Sequence, residues 1–339
     1  MSVKSKIVRY FFDKGGDNAA KALTRNYPRV LMYHRFSHSD SDSGKLSRSN
    51  FTDQVNYLLE NFELVSIDEV VNDGNRHSIK PRVCITVDDG YEDFYDIAYP
   101  ILKKYGIPAT FYVTTDFVDE KIWFWYDRIR WCLEQSDLDD VRNAVSKVFH
   151  TNCEQFSSKD AVWAYAVSNI LELDPCSVEE KINSLSNALS LDIPKRAPKK
   201  YKAATWNQIK EMSLNGITVG AHTLSHYSLG PMEREEVISQ IRGSKDRIEE
   251  MLETKVRHFC FPNGQPSDIP LDYCSIFGEL GFHSSVVAFY DRKGVRDPFA
   301  IRRHGVGSDF YAFKKSVCGV DRIGAILLNK DSKFSWSDL

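Results

Sequence analysis

Short apolar runs and segments with helical spacing follow one another along the first part of the chain. Apolar runs at Arg29–Tyr33, Val83–Val87 and Thr110–Thr114 predict buried strands. Apolar residues three and four positions apart predict helices over Phe51–Asn61 and Phe94–Tyr105. Strands that alternate with helices in this way indicate a parallel sheet or barrel of the α/β class.

Between residues 117 and 203 the apolar residues follow helical spacing. Three apolar stripes lie there, and Ser177 with Glu180 predicts a capping box at the start of the third. A cluster of Trp and Tyr residues at 123–126 predicts either core packing or a wall of a substrate cleft. We interpret this region as a helical insertion into the α/β scaffold.

The alternation of strands and helices resumes at Thr205, which together with Gln208 predicts the capped start of a helix. Later strands are predicted at Ile217–Ala221, at Arg257–Phe261 and near residues 283–288 and 299–303. The predicted organisation is a helical lead-in at 1–28, an α/β scaffold at 29–116 and 204–320, the helical insertion at 117–203 and a C-terminal tail at 321–339.

Composition narrows the class of protein. With 44 basic and 47 acidic residues among 339, the net charge of −3 argues against nucleic acid as the main partner. We find no secretory h-region and no apolar run of about 18 residues, so we expect no transmembrane segment. Seven scattered cysteines without a CxxC motif indicate a reduced, cytoplasmic protein. Ile7–Phe12 could form a short peripheral contact with a membrane, and the sequence does not indicate an oligomeric state.

The run Val83–Gly90 ends in two adjacent carboxylates and a glycine. Side chains on a regular strand alternate between faces, so Asp88 and Asp89 can enter one cavity only where the strand ends and Gly90 permits a turn. One carboxylate would then bind a metal ion, and the other would accept a proton from a water molecule. The alternative interpretation is a strand followed by an ordinary Asp-Gly turn.

Two later strands also end in polar groups. His222 and His226 follow the strand Ile217–Ala221, and the turn Phe261–Gly264 follows the next strand. Because parallel α/β folds bind ligands at the carboxyl ends of their strands, we expect these groups to converge with the two carboxylates. Two histidines four residues apart, with one carboxylate, form a common catalytic metal set. Such a histidine pair alone is more often part of a loop or of the core.

These motifs resemble those of the polysaccharide deacetylases, a family of carbohydrate esterases related to chitooligosaccharide deacetylase. Thr86–Gly90 (TVDDG) is similar to the first family motif, TFDDG, with Val87 in place of Phe. His222–His226 (HTLSH) matches the second motif in full. Phe261–Gly264 (FPNG) is similar to the third motif, with Asn263 in place of the usual aromatic residue.

Two further segments, Leu31–His34 and Gly106–Val113, are also similar to the family. The resemblance covers about 29–116 and 204–320, and it does not cover the insertion. It implies a distorted (β/α)7 barrel of the polysaccharide deacetylase type, interrupted by the helical insertion.

The resemblance also implies a divalent metal ion, most commonly Zn²⁺, and a set of site residues. By motif position, Asp89, His222 and His226 would hold the metal ion. Asp88 would be the general base, and the backbone N–H of Asn263 would stabilise the oxyanion.

The fourth motif of the family is not found in this sequence, so the general acid is left open. The nearest late candidate is His304, in the loosely matching segment Ile301–Gly305 (IRRHG). Arg303 stands where related sequences often have an arginine, and it could orient Asp88. We count Arg303 and His34 as predicted substrate-binding residues, although a structural role for His34 fits its position equally well.

The sequence therefore predicts a metal-dependent enzyme that removes an N-acyl group, in the first place acetyl, from a sugar. The substrate could be a nucleotide- or lipid-linked intermediate of surface polysaccharide synthesis that is met inside the cell. Two alternatives stay open: a hydrolase of another C–N bond, such as a cyclic amide of the allantoin type, and an inactive barrel that binds a glycan or a protein. The intact Asp88, Asp89, His222 and His226 count against the inactive barrel.

Overall fold

The computed structural model describes residues 14–42, 44–72, 78–171 and 173–328. In this part of the chain, the strands are β1 Arg29–Tyr33, β2 Phe36–Ser37, β3 Leu46–Ser47, β4 Glu63–Leu64, β5 Arg82–Val87, β6 Ala109–Val113, β7 Ile217–Ala221, β8 His258–Cys260, β9 Ser284–Val287, β10 Ile301–Arg302 and β11 His304–Gly305.

The helices of the scaffold alternate with these strands, as the sequence predicts. Outside the insertion, the described α-helices are Gly16–Leu23, Arg48–Asn61, Ile67–Asn72, Tyr99–Tyr105, Thr115–Val118, Trp206–Leu214, Arg234–Leu252, Tyr273–Leu280, Phe310–Cys318 and Val320–Leu327. A π-helical turn at Phe94–Ala98 precedes Tyr99–Tyr105, and short 3₁₀ turns lie at Lys199–Tyr201 and Pro266–Asp268.

The main sheet is parallel and nearly closed. Its strand order is β10-β9-β8-β7-β6-β5-β1-β11, and β4 pairs with the beginning of β5. Because Arg303 alone separates β10 from β11, the segment Ile301–Gly305 pairs with β9 on one side and with β1 on the other. Counted as one strand beside β1 and β5–β9, this segment completes a barrel of the predicted (β/α)7 type.

The two faces of the sheet pack against different apolar clusters. Val30 pairs in register with Cys84, and both belong to a cluster shared with Tyr112 and residues of later strands. Leu31 pairs with Ile85, and both belong to the larger cluster between the sheet and its helices. This period of two follows from the alternation of side chains along a strand, and it determines which residues point into the barrel.

The insertion is helical and has a core of its own. Its helices are Trp125–Glu134, Leu138–Phe149, Lys159–Ser168 and Pro175–Ala188, and residues of all four share one buried apolar cluster. The Trp125 side chain belongs to this cluster and also lines the cavity at the carboxyl end of the barrel, so the insertion is packed directly onto that end.

Of the two helix starts that were predicted from capping boxes, one is confirmed and one is wrong. The capping box of Thr205 with Gln208 is confirmed. The predicted capping box of Ser177 with Glu180 is wrong, because the helix begins earlier, at Pro175, and Asp174 caps it. A proline at the first helical position and an aspartate before it are strong start signals, and Ser177 instead donates its hydroxyl hydrogen bond to Asp174.

The ends of the chain are described in part. The lead-in forms the helix Gly16–Leu23, whereas Ile7–Phe12 lies outside the described residues. Two helices lie near the C-terminus, Phe310–Cys318 and Val320–Leu327, and Gly319, with a φ of 97°, lies between them. No helix in the described ranges has both the length and the apolar composition that crossing a membrane requires.

Candidate active site

The end of β5 turns two neighbouring carboxylates into the same cavity. Asp88 continues the alternation of the strand and points into the barrel, where its side chain is 3% exposed. Asp89 has a left-handed backbone with a φ of 82°, and Gly90 follows with a φ of 105°. Such backbone conformations are unfavourable for a residue with a side chain, and they persist where the surrounding structure enforces them, often at functional sites.

The end of β7 presents the two histidines. His222 follows the strand directly, and its Nδ1 lies 2.7 Å from the carbonyl oxygen of Cys260. A carbonyl can only accept, so Nδ1 carries a proton, and in the neutral imidazole the lone pair lies on Nε2. The loop that follows turns through left-handed backbone at Thr223 (φ 65°) and His226 (φ 60°), and the Thr223 hydroxyl accepts a hydrogen bond from the backbone N–H of His226.

Asp89, His222 and His226 come together as the sequence predicts. The Nε2 atoms of His222 and His226 lie 3.5 and 3.3 Å from Asp89 Oδ1, and one ligand atom from each residue falls within 4.8 Å of the others. His222 Nε2 is buried and has no hydrogen-bond partner among the described residues. An orphaned imidazole nitrogen next to a second histidine and a carboxylate fits the donor set of a Zn²⁺ site.

In a second group of potential ligands, Asp88 with His222 and Cys260, the ligand atoms also lie within 4.8 Å of one another. It fits a metal ion less well. Burial raises the pKa of the Cys260 thiol, and a thiol binds a metal ion only after it loses its proton. Asp88 is also already engaged by a guanidinium, so the set with Asp89 and both histidines is the better metal site.

Asp88 is held by a buried arginine from the closing segment of the barrel. Arg303 Nη1 donates to Asp88 Oδ1 at 2.7 Å and to Thr86 Oγ1 at 3.0 Å. Burial raises the pKa of Asp88, but the charge and the hydrogen bond of Arg303 outweigh burial, so this pKa lies below its ordinary value. His34 Nε2 lies 3.8 Å from Asp88 Oδ2, and its side chain is 45% exposed. The structure therefore places Arg303 and His34 beside Asp88.

The turn after β8 reaches the same cavity. Asn263 lies on the cavity wall with a φ of 56°, and its side-chain nitrogen lies 3.5 Å from Asp268 Oδ1. Gly264 also has a positive φ, 61°, and a Cβ atom there would lie 2.7 Å from the backbone nitrogen of Ala288. This close approach of two backbones fixes the turn that carries Asn263.

His304 is the predicted site residue that the structure does not bring into the cavity. It follows Arg303 on the same segment, so its side chain leaves on the opposite face. Its ring packs against Tyr290 at a centroid distance of 4.0 Å. Burial, with Arg29 nearby, lowers the pKa of His304 to about 3, so this imidazole is neutral near pH 7 and cannot serve there as an acid.

The insertion supplies cavity residues that the motifs do not reveal. The Tyr126 hydroxyl donates to Asp89 Oδ2 at 3.3 Å, and Asp127 lies beside it on the wall. Of the two interpretations of the aromatic cluster at 123–126, a cleft wall is correct for Trp125 and Tyr126, whereas Trp123 packs in the core. The only sequence signal was the aromatic cluster itself, which core packing explains as well.

These residues line one cavity of about 670 Å³. The barrel contributes the carboxylates, the histidines and Arg303, and the insertion contributes Trp125, Trp163, Val167 and Leu171 among others. A volume of this size admits a ligand of several hundred daltons. The cavity thus combines a candidate metal site with a wall from the insertion that carries apolar side chains and also charged ones, among them Asp127 and Arg130.

Comparison with known proteins places the chain in a family. The family model for polysaccharide deacetylases matches residues 75–283. The chain belongs to the polysaccharide deacetylase family. A poly-β-1,6-N-acetyl-D-glucosamine N-deacetylase of Staphylococcus aureus is 33% identical over 115 residues, which are 31% of this chain and 39% of that protein. The protein YxkH of Bacillus subtilis is 33% identical over 95 residues, 27% of this chain and 33% of that protein. The match thus spans between a third and two fifths of the length of these two curated relatives.

Solved structures support the fold of this chain over most of its length. The deacetylase PplD of Streptococcus pyogenes, in complex with acetate, has a TM-score of 0.53 and 17% identity, and the match covers 83% of this chain and 92% of that one. A de-N-acetylase of Aggregatibacter actinomycetemcomitans has a TM-score of 0.54 and 16% identity over 86% and 99%. At 16% and 17% sequence identity, the structural similarity shows that these proteins share the barrel fold.

Proposed function

We propose that this polysaccharide deacetylase is a metal-dependent hydrolase that removes the N-acetyl group from a sugar. The observation that carries the proposal is the placement of Asp88, bound to Arg303, next to a compact set of Asp89, His222 and His226. Family membership and the activity in the name of the Staphylococcus aureus relative support the same reaction.

The proposed metal ligands are Asp89, His222 and His226, and the proposed ion is Zn²⁺. When bound, such an ion supplies Lewis-acid chemistry, which polarises the acyl carbonyl and makes water a better nucleophile. The Cys260 carbonyl holds the tautomer of His222 that leaves Nε2 free for the ion.

Asp88 is the proposed general base. It accepts a proton from the attacking water as the water oxygen bonds to the acyl carbon. Arg303 keeps this carboxylate ionised and fixes its orientation through the 2.7 Å hydrogen bond. The N–H of Asn263 is the proposed donor to the oxyanion that forms. When the C–N bond breaks, the amine takes up the proton that Asp88 received, and acetate is released.

The proposed substrate is a sugar that carries a nucleotide or lipid group and is met in the cytoplasm as an intermediate of surface polysaccharide synthesis. The apolar wall formed by Trp125, Trp163, Val167 and Leu171 suits a substrate with an apolar or aromatic part next to the sugar. All seven cysteines of the chain lie in the described residues and are free, which supports a reducing compartment.

The deciding experiment measures metal content and acetate release on the same purified protein. The substrates are a panel of N-acetylated nucleotide sugars and short chitooligosaccharides. We expect about one zinc ion per chain and release of acetate from at least one member of the panel. The substitution His283→Ala, at an exposed histidine outside the cavity, is the control and should change neither quantity.

Two outcomes would contradict the proposal. Failure to bind zinc after reconstitution would remove the metal-dependent reaction and favour a barrel that binds a glycan or a protein. Zinc-loaded protein that releases ammonia or an opened ring from cyclic amides, but no acetate from sugars, would favour the other class of C–N hydrolase.

A further inference from the structure

The insertion places a buried carboxyl group on the cavity wall. Asp127 lies near the start of the helix Trp125–Glu134 and is 5% exposed. The Tyr91 hydroxyl donates to its Oδ2 at 2.6 Å. Its other oxygen, Oδ1, lies 4.0 Å from Arg35 Nη1, which is beyond hydrogen-bond distance. One oxygen of this carboxyl is thus held by the protein, and the other is available to a ligand in the cavity.

This arrangement is costly if its purpose is only structural. Burial raises the pKa of Asp127 to about 7, although Arg35 and Tyr91 oppose the rise. Arg35 makes its own hydrogen bonds elsewhere, to Asp93 at 2.8 Å and to the carbonyl of Lys200 at 2.7 Å. A buried carboxyl that is paired incompletely lowers stability, and such groups in a cleft are candidates for a functional role.

Asp127 lies one layer of side chains away from the candidate metal site. The hydroxyls of Tyr91 and Tyr126 are 3.4 Å apart, and the Tyr126 hydroxyl donates to Asp89. Tyr91 in turn donates to Asp127, so two tyrosines separate the Asp127 carboxyl from the metal ligands. Asp127 is therefore placed to contact the ring of a sugar whose acyl group lies at the metal ligands.

We propose that Asp127, together with Arg35, hydrogen-bonds the ring hydroxyl groups of the sugar whose N-acyl group lies at Asp89, His222 and His226. The proposal rests on the proposed function, because it takes the substrate to be an N-acylated sugar. A carboxyl oxygen accepts a hydrogen bond from a hydroxyl, and a guanidinium donates one to it. The pair can therefore bind a sugar hydroxyl both as donor and as acceptor. The barrel then carries out hydrolysis, and the insertion selects the sugar.

Arg35 is preorganised for this task. Its guanidinium stacks on the Tyr91 ring at 3.6 Å from the centroid and is anchored to Asp93 and Lys200. A donor that is already fixed loses little entropy when a ligand binds. A site built to hydrogen-bond a hydroxyl rejects an analogue that lacks it, because its buried polar groups are then left unpaired.

The first test measures binding, which does not depend on turnover. Trp125 and Trp163 line the cavity and report ligand binding through their fluorescence. The zinc-loaded full chain is titrated with methyl N-acetylglucosaminide and with analogues that each lack one ring hydroxyl. We expect wild-type protein to bind at least one analogue about tenfold more weakly than the parent sugar.

In the same titration, Asp127→Ala should bind the parent sugar about tenfold more weakly and lose the discrimination among analogues. Asp127→Asn keeps the shape and replaces the alanine variant if that variant does not fold. Asp139→Asn removes an exposed carboxylate from the same insertion and should bind as wild type. Wild-type protein that does not bind the parent sugar, or an Asp127 variant that still discriminates, would overturn the proposal.

The second test separates sugar recognition from damage to the metal site. Hydrolysis of the sugar substrate is compared with that of p-nitrophenyl acetate, which has an acyl group but no sugar. Asp127→Ala should raise KM for the sugar about tenfold and leave zinc content and p-nitrophenyl acetate hydrolysis unchanged. Loss of both activities together with zinc would assign Asp127 to the metal site and overturn the proposal. If the wild-type protein binds the sugar but does not hydrolyse it, and the Asp127 variant loses this binding, the present proposal is upheld and the proposed function is contradicted.

Discussion

At the residue scale, the two adjacent carboxylates have different partners. Asp88 is bound by Arg303, whereas Asp89 faces His222 and His226. The left-handed backbone at Asp89 separates the directions of the two side chains. Environment, and not residue type, therefore determines the roles that we propose for them, one as general base and the other as metal ligand.

Replacing the proposed base tests this division. Asp88→Asn keeps the size of the side chain but cannot accept a proton from water. We expect kcat for deacetylation to fall by about 10²- to 10⁴-fold, as is typical when a general base is lost. Zinc content should stay at the wild-type level, because Asp88 is not among the proposed ligands. Acetate release and metal analysis on the same sample measure both quantities.

Stability must be measured alongside, because Asp88→Asn leaves the buried guanidinium of Arg303 without its ionic partner. Breaking a buried pair in this way costs about 3–5 kcal/mol of folding free energy. The assays are therefore carried out at a temperature well below the thermal unfolding midpoint of the variant. A folded Asp88→Asn protein with wild-type activity would show that another group is the base.

The histidines of the candidate metal site give a second residue-scale prediction. His226→Ala removes one of three proposed ligands, and its Nε2 is 3.3 Å from Asp89 Oδ1. We expect zinc content after dialysis to fall from about one ion per chain to a small fraction of that, with acetate release lost in parallel. His283→Ala should retain the ion. A His226→Ala protein that keeps its zinc would exclude His226 as a ligand.

At the scale of elements, the insertion takes part in the candidate metal site through Tyr126. Tyr126→Phe removes the hydroxyl that donates to Asp89 Oδ2 at 3.3 Å and leaves the ring in place. Partners of metal ligands orient them, and their loss lowers metal affinity or activity by about 10- to 100-fold. Competition with a zinc chelator measures the affinity. Tyr165→Phe, on another helix of the insertion, should have no effect, and an equal loss in both variants would reject this role.

Comparison of the predicted strands and site residues with the structure shows which of them the sequence can predict. The barrel strands and the motif residues Asp88, Asp89, His222 and His226 were predictable, because local periodicity and short motifs encode them. The prediction that His304 lies in the cavity was wrong by one position along the strand, because Arg303 points into the cavity instead. Side chains on a strand alternate, so the step from Arg303 to His304 moves a side chain from the cavity to the opposite face.

The cluster of Arg35, Tyr91 and Asp127 could not be predicted for a different reason. Its members come from the loop after β1, from the turn after β5 and from the insertion, and only tertiary packing brings them together. None of them lies in a motif or in a periodic pattern. An arginine, a tyrosine and an aspartate scattered in this way are individually typical of any protein surface.

At the scale of the whole molecule, the candidate metal site joins the ends of β5 and β7, so an ion bound there should stabilise the barrel. Zinc that binds only the folded state adds about 2.7 kcal/mol when its free concentration is about 100 times Kd. We expect the unfolding midpoint to rise by several degrees between chelated and zinc-loaded protein. His226→Ala should show no such rise, and His283→Ala should show all of it.

The rise in the unfolding midpoint on zinc binding should depend on pH, and the protonation of His222 determines its direction. Burial lowers the pKa of His222, but its contacts with Cys260 and Asp89 outweigh burial and hold this pKa well above its ordinary value in the zinc-free protein. The stabilisation from protonated His222 is therefore complete below the ordinary histidine pKa and is lost as pH rises through the raised value. Zinc needs the neutral imidazole, so its affinity rises over the same window. The difference in midpoint between zinc-loaded and chelated protein should thus grow as pH rises above the ordinary histidine pKa of 6.5 in thermal scans. A difference that shrinks with pH would show that zinc does not displace a proton from His222.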